Sequence, residues 1–182
     1  ALAAIVLVAI IAVVLVLTLG GNKEKAQKLT MIATPNPHAE VLELVKEDLA
    51  KLGYELELQI VSDYVVENPA TAAGDVMANF FQHIPYLAGY NASVSEEEQL
   101  QAVIFTHFEP MAIYAGTKAS LDEIAKGDTI AVPNDPVNEN RALLLLQNAG
   151  LITLPEGTTL ESTCTPLDIV ENPYELNIVE LN

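Results

Sequence analysis

From residue 1 to residue 19 the chain is apolar at every position except Thr18, and the first charge, Lys23, follows Gly20 and Gly21. Nineteen residues at about 1.5 Å rise each are long enough to cross a bilayer's hydrocarbon. Residues 1–19 therefore predict a signal or membrane-anchor helix, and residues 20–28 a polar linker. A signal peptide carries a basic start and a small-residue cleavage site. No basic start is visible in a sequence that begins at Ala1, inside the run, and Thr18-Leu19-Gly20 is a poor cleavage site, so signal and uncleaved anchor both stay open.

Beyond the linker the pattern alternates between strand and helix. Residues 29–33 form a short apolar run, the signature of a buried strand. Thr34-Pro35-Asn36-Pro37 then turns the chain, with Asn36 expected as N-cap and Pro37 at the first helical position. Apolar residues at 41, 42, 45, 49 and 52 recur at helical spacing, and Gly53 is a natural stop. Tyr54, Leu56, Leu58 and Ile60 alternate with Glu55, Glu57 and Gln59, the period of a strand.

Residues 63–90 are less regular and hold the string ANFFQHIPYL. Ser95 before Glu96, Glu97 and Glu98 predicts a capped helix start or a solvated acidic turn. Residues 103–114 are apolar enough for a long strand, interrupted by Glu109-Pro110. A short helix is expected over 120–126, a buried strand over 129–132, and a helix from Pro136 that ends at Gly150. The remainder, 151–182, has room for two short strands and a short helix near 165–171. Such alternation predicts an α/β fold with mainly parallel sheets. The expected organisation is a first α/β lobe over 29–115 and a second over 116–182.

Charge narrows the partners. Twenty-five acidic residues against eight basic ones give a net charge of −17. Nucleic acid is excluded, because phosphate neutralisation needs clustered lysine and arginine. The single cysteine, Cys164, excludes an intrachain disulfide.

Two places carry candidate chemistry. Arg141, the only arginine, stands near the start of the helix that ends at Gly150. The helix dipole disfavours a cation there by about 0.3–1 kcal/mol when exposed. A bound carboxylate, shared between guanidinium and helix N–H groups, would reverse that preference. The plainer reading of Arg141 is a salt bridge to Glu139 or another surface carboxylate. The second place is Asn79-Phe80-Phe81-Gln82-His83-Ile84-Pro85-Tyr86. An aromatic cluster of this kind is either core or the wall of an apolar pocket with polar tips. His38, His83 and His107 offer an alternative, a zinc-binding protein, although their spacing matches no ligand motif. There is no glycine-rich phosphate loop, no G-x-S-x-G and no HExxH, so no enzyme and no cofactor are expected.

The strings TPNPHAEVLELVK, ANFFQHIPYL, HFEPMAIYA and IAVPNDPVNENRALLLLQNAGL, in that order, closely resemble the NlpA family, the methionine-binding lipoproteins of bacterial ABC importers. The resemblance implies a two-lobed fold of the periplasmic-binding-protein type. It further implies capture of L-methionine or a close analogue and its delivery to a membrane permease, on the extracytoplasmic face of the cytoplasmic membrane. Carried over by position, Arg141 would hold the ligand carboxylate with Asn138 assisting. Tyr64, Phe81, His83 and Tyr86 would wall the thioether.

Three departures stand out. The family's lipobox cysteine is absent, so tethering is expected from residues 1–19 instead. Asn140 stands where the family usually has glycine, and asparagine is expected to serve there because it tolerates unusual backbone angles. Family members also continue well beyond Asn182, with a further ligand-binding asparagine, so the second lobe is expected to be incomplete. A membrane-anchored interaction remnant that binds no ligand is therefore a further alternative.

Overall fold

The computed structural model describes residues 26–181; the leader and most of the linker lie outside them. The described residues form an α/β fold, as the alternation predicts, with two parallel sheets. They gather into two compact units. The first runs to Ile60 and includes Val76–Phe80; the second holds Val61–Asp75 and continues from Phe81. This grouping differs from a division at 115/116, which falls inside the second unit.

In the first unit, strand β1 (Gln27–Ala33) lies between β2 (Tyr54–Ile60) and β3 (Ala78–Phe80). The register sets Gln27 opposite Tyr54 and Ala33 opposite both Ile60 and Phe80. Period two in β2 has its expected effect: Leu56 is buried while Glu55 and Glu57 face water. Lys28 pairs with Glu57 across the strands. Helix α1 (Glu40–Lys51) closes over Ala33, Ala39, Leu42 and Leu56, and Gly53, at φ +88°, ends it.

The start of α1 departs from expectation. Asn36 is extended (φ −125°, ψ 131°) and caps nothing. Residues Pro35–Ala39 make a π turn entered from Thr34, whose carbonyl accepts from Ala39 N at 2.9 Å. Two prolines in three residues deprive the turn of N–H donors, so the chain cannot enter the helix directly. The Thr34 hydroxyl instead meets His38 Nδ1 at 2.6 Å, and the buried His38 ring stands edge-on to Phe80.

The second unit opens with α2 (Tyr64–Ala72), capped by Asp63, and α3 (Ile84–Ser93), capped by His83. A single 3₁₀ turn, Glu96–Glu98, follows with a Ser95/Glu98 capping box, and the expected helix near 120–126 is likewise one turn, Leu121–Glu123. Strand β4 (Thr129–Pro133) leads into α4 (Pro136–Asn148) and pairs in parallel with β5 (Asn177–Leu181). Another 3₁₀ turn, Pro166–Asp168, lies between them in the chain. Val132, Ala142, Leu143, Leu146, Leu151, Ile152, Leu154 and Leu176 form this unit's core. Leu143 and Leu146 thus fix which face of α4 is inward.

The long strand expected over 103–114 is not formed: the segment is irregular, with Val103 92% and Phe108 86% exposed. Apolar composition does not make a strand without a neighbour to hydrogen-bond. Among the described residues none pairs with this segment, and Pro110 withholds a donor. Only its end, at Met111 and Ile113, packs on the core.

Asn140 also corrects an expectation. It lies inside α4 with no unusual backbone angle, and its side chain is fully buried. Its Nδ2 donates to Thr159 O at 2.9 Å and its Oδ1 accepts from Cys164 N at 3.3 Å. The amide thereby ties the 159–164 segment to the helix. Asn140→Ala strands these groups, at a cost of about 1–3 kcal/mol. Urea unfolding should show a lower midpoint at unchanged slope; an unaltered midpoint contradicts the assigned tie.

Candidate ligand-binding site

The second unit contains a cavity of about 1340 Å³ lined by Tyr64, Phe81, His83, Tyr86, Asn138 and Arg141, among others. Local structure explains each position. Tyr64 is the first residue of α2, placed by the Asp63 cap, whose side chain accepts from Val65 N at 3.1 Å. His83 caps α3, its Nδ1 accepting from Tyr86 N at 3.1 Å, with Pro85 in the first turn where no donor is needed. Asn138 and Arg141 are three residues apart and share a face of α4. Helices α3 and α4 approach closely at Gly89, where an added Cβ would meet Val137 Cγ2 at 3.0 Å.

The rings make a continuous wall. Phe81 lies 5.5 Å from Tyr86 and 5.7 Å from Tyr64, centroid to centroid, and Tyr64 and Tyr86 meet edge-to-face at 6.0 Å. His83 stands edge-on to Tyr86 at 6.2 Å. Tyr86 also donates its hydroxyl to Tyr64 O. Burial, reinforced by Asp135, pushes the Tyr86 phenol up to about 12 and raises Tyr64 as well, so both hydroxyls stay neutral near pH 7.

Arg141 is the cationic end. Its Nη1 donates to Asn138 Oδ1 at 2.7 Å and lies 2.8 Å from His83 Nε2. Among the described residues no carboxylate is within salt-bridge distance of it, which removes the plainer reading of a bridge to Glu139. That carboxyl is buried and turned to Glu180, and burial, followed by that neighbour, holds its pKa well above the usual carboxylate range. A half-buried guanidinium held by a neutral amide, with no ion-pair partner among the described residues, is an arrangement suited to an incoming anion.

His83 does not compete for that anion. Burial is the largest influence lowering its pKa, partly offset by its bond to Asn138, and the Arg141 charge lowers it further. Around Asn138 there is therefore one positive charge, Arg141; Lys118, which also lines the cavity, is paired with Asp128 at 3.3 Å. Of the three histidines of the zinc reading, His38 meets the Thr34 hydroxyl through Nδ1 at 2.6 Å. Both ring nitrogens of His83 face protein atoms, and His107 Nε2 meets Glu109 Oε1 at 2.5 Å.

Two residues that matter here escaped the sequence reading. Asp135 caps α4 and grips Asn138 twice, accepting from its N–H at 2.9 Å and its Nδ2 at 3.0 Å. An aspartate followed by proline and then, three residues on, asparagine is the cap signal that marks it. Glu67, in α2, is fully buried with neither carboxyl oxygen hydrogen-bonded. No pattern in the sequence signals that.

The chain matches the family model described as NlpA lipoprotein over residues 29–182. It belongs to the NlpA lipoprotein family. The D-methionine-binding lipoprotein MetQ of Escherichia coli (strain K12) is 46% identical over 149 residues, which cover 79% of this chain and 51% of that protein. A nutrient-binding protein from Burkholderia cenocepacia, solved bound to methionine, superposes with a TM-score of 0.78 at 38% identity, covering 85% of this chain and 64% of that one. An ABC-transporter periplasmic substrate-binding protein from Coxiella burnetii gives 0.74 at 36% identity, covering 85% and 63%. The fold class is therefore the periplasmic-binding-protein type. The NlpA-family chain spans about half the length of the E. coli relative.

Glu67 yields a pH prediction. Burial, with Asp63 second, pushes its pKa up to about 8 from the ordinary 4.5. The folded state then binds the proton more tightly than the unfolded state, so stability falls as pH rises from about 4.5 to about 8 and levels off above. Glu67→Gln should flatten that part of the decline and be more stable than the parent at pH 9. Thermal melts across pH 4 to 9 check this; parallel curves for the two proteins contradict it.

Proposed function

We propose that this chain is the solute-capturing part of an ABC importer and that it binds L-methionine or a close analogue, rather than catalysing a reaction. The observation that carries the proposal is the pairing of an unneutralised guanidinium with a wall of aromatic rings in one cavity. A free amino acid with an apolar tail presents the matching ends. Arg141, assisted by Asn138, holds the carboxylate. Tyr64, Phe81 and Tyr86, with His83 at their edge, wall the thioether, since sulfur–aromatic contacts contribute about 0.3–1.5 kcal/mol each. The relatives, a D-methionine-binding lipoprotein and a protein solved bound to methionine, support the same ligand class.

The partner is a membrane permease, and the place of work is the extracytoplasmic face of the cytoplasmic membrane. Residues 1–19 either tether the protein there or direct its export. In this reading the chain divides functionally into lobes over 29–115 and 116–182, the first supplying most of the aromatic wall and the second the clamp.

Calorimetry with L-methionine tests the proposal. Arg141→Ala should weaken binding by at least about tenfold, or about 1.4 kcal/mol. Phe81→Ala should also weaken it, by about 1.5–3 kcal/mol if the ring covers the side chain fully. Unchanged affinity in Arg141→Ala contradicts the clamp; a Phe81→Ala protein that no longer folds assigns that ring to the core instead.

A further inference from the structure

The clamp depends on which way two ambiguous groups face. Asn138 presents either its oxygen or its NH₂ to Arg141, and neutral His83 carries its proton on either ring nitrogen. We propose that Asp135 makes both choices, as a positioning residue that sets the direction of every hydrogen bond in the site.

Asp135 is the one group of the array with no freedom of direction. An ionised carboxylate only accepts. Its two oxygens meet Asn138 N at 2.9 Å and Asn138 Nδ2 at 3.0 Å, so the amide NH₂ is drawn to Asp135. Asn138 Oδ1 must then face the other way, where it lies 2.7 Å from both Arg141 Nη1 and His83 Nε2. Being an acceptor, it asks Nε2 to carry a hydrogen. His83 Nδ1 is thereby left as an acceptor, which suits the Tyr86 N–H at 3.1 Å.

The alternatives fare worse. With the proton on Nδ1, Nε2 would accept from Arg141 Nη1, but Nδ1–H would oppose the Tyr86 N–H and the Nε2 lone pair would oppose Asn138 Oδ1, two clashes against one. A doubly protonated ring would set Nδ1–H against Tyr86 N–H and place a second cation 2.8 Å from Arg141. The Nε2–H form leaves only the short Nη1–Nε2 approach unsatisfied. That approach is relieved when a ligand anion draws the guanidinium toward itself.

Asp135 thus fixes the tautomer of His83, which burial keeps neutral against the opposing pull of the Asp135 charge, so that Arg141 stands as the one positive charge of this hydrogen-bonded array. Its own charge does not need to touch the ligand. The binding consequence rests on the methionine reading above, but the tautomer consequence does not.

The test uses the ligand-free protein with ¹⁵N-labelled histidine, whose nitrogen chemical shifts report the protonated ring position. Calorimetry with L-methionine runs in parallel. Asp135→Asn retains a cap acceptor and the residue's size, yet offers an NH₂ that turns Asn138 around. Asp135→Ser retains one acceptor only. The parent should show His83 protonated on Nε2. Asp135→Asn should move the proton toward Nδ1 and weaken methionine binding by roughly tenfold, as expected when a charge-assisted array is broken. Asp135→Ser should show a mixture of the two forms. A parent protonated on Nδ1, or an Asp135→Asn protein unchanged in tautomer, overturns the proposal. So does unchanged affinity in Asp135→Asn when the parent binds methionine. If the parent binds none, the methionine reading fails by itself, and the nitrogen shifts alone support or overturn the role of Asp135.

Discussion

A guanidinium in a half-buried cleft loses much of its water, and something has to replace it. In this chain the replacement is a neutral amide, Asn138, beside an imidazole whose surroundings discourage its protonation. Neither cancels the charge of Arg141. The rest of the second unit serves that incomplete solvation: α4 carries the cation and the amide on one face, and α3 delivers the imidazole. The glycine at 89 lets the two helices come near enough for the three groups to meet. Placing a cation in the first turns of a helix opposes the dipole. A ligand carboxylate at that position would satisfy the guanidinium and the helix end together.

Packing makes the arrangement durable. Leu143 and Leu146 anchor the inner face of α4 in the core with Val132 of β4 and Leu176 beside β5. The face bearing Asn138 and Arg141 follows from helical spacing. Asn140, buried between them, ties α4 to the 159–164 segment through its amide. The aromatic wall is held by caps at Asp63 and His83, so two of its rings sit at or next to helix starts, where backbone direction is well determined. His83 serves as cap and as site residue at once.

Much of this was legible in the amino-acid pattern. Period two in residues 54–60, helical spacing after residue 40 and the Asp-Pro entry to α4 all describe local preferences, and the structure follows them. The six site residues were named from the family resemblance, five of them within its motif strings and Tyr64 outside them, and all six line one cavity. What could not be read depends on partners distant in sequence. Residues 103–114 have the composition of a strand, but pairing is a property of two segments. The helix start near Asn36 failed because prolines at 35 and 37 remove the donors a cap would satisfy. Asn140 was assigned a backbone role on its residue type, whereas burial gave it a side-chain role. Burial of Glu67 likewise arises only when the helices are packed, whereas the double grip of Asp135 on Asn138 is local to the start of α4.

The central claim is that the charge of Arg141 recognises a carboxylate. Comparing L-methionine with L-methioninol, in which a CH₂OH replaces the carboxylate, against the parent and Arg141→Ala forms a double-mutant cycle that isolates this pair. The account predicts that the parent strongly prefers methionine, that Arg141→Ala barely distinguishes the two, and that the coupling is at least about 1.4 kcal/mol. Equal loss on removing the carboxylate from both proteins would contradict it.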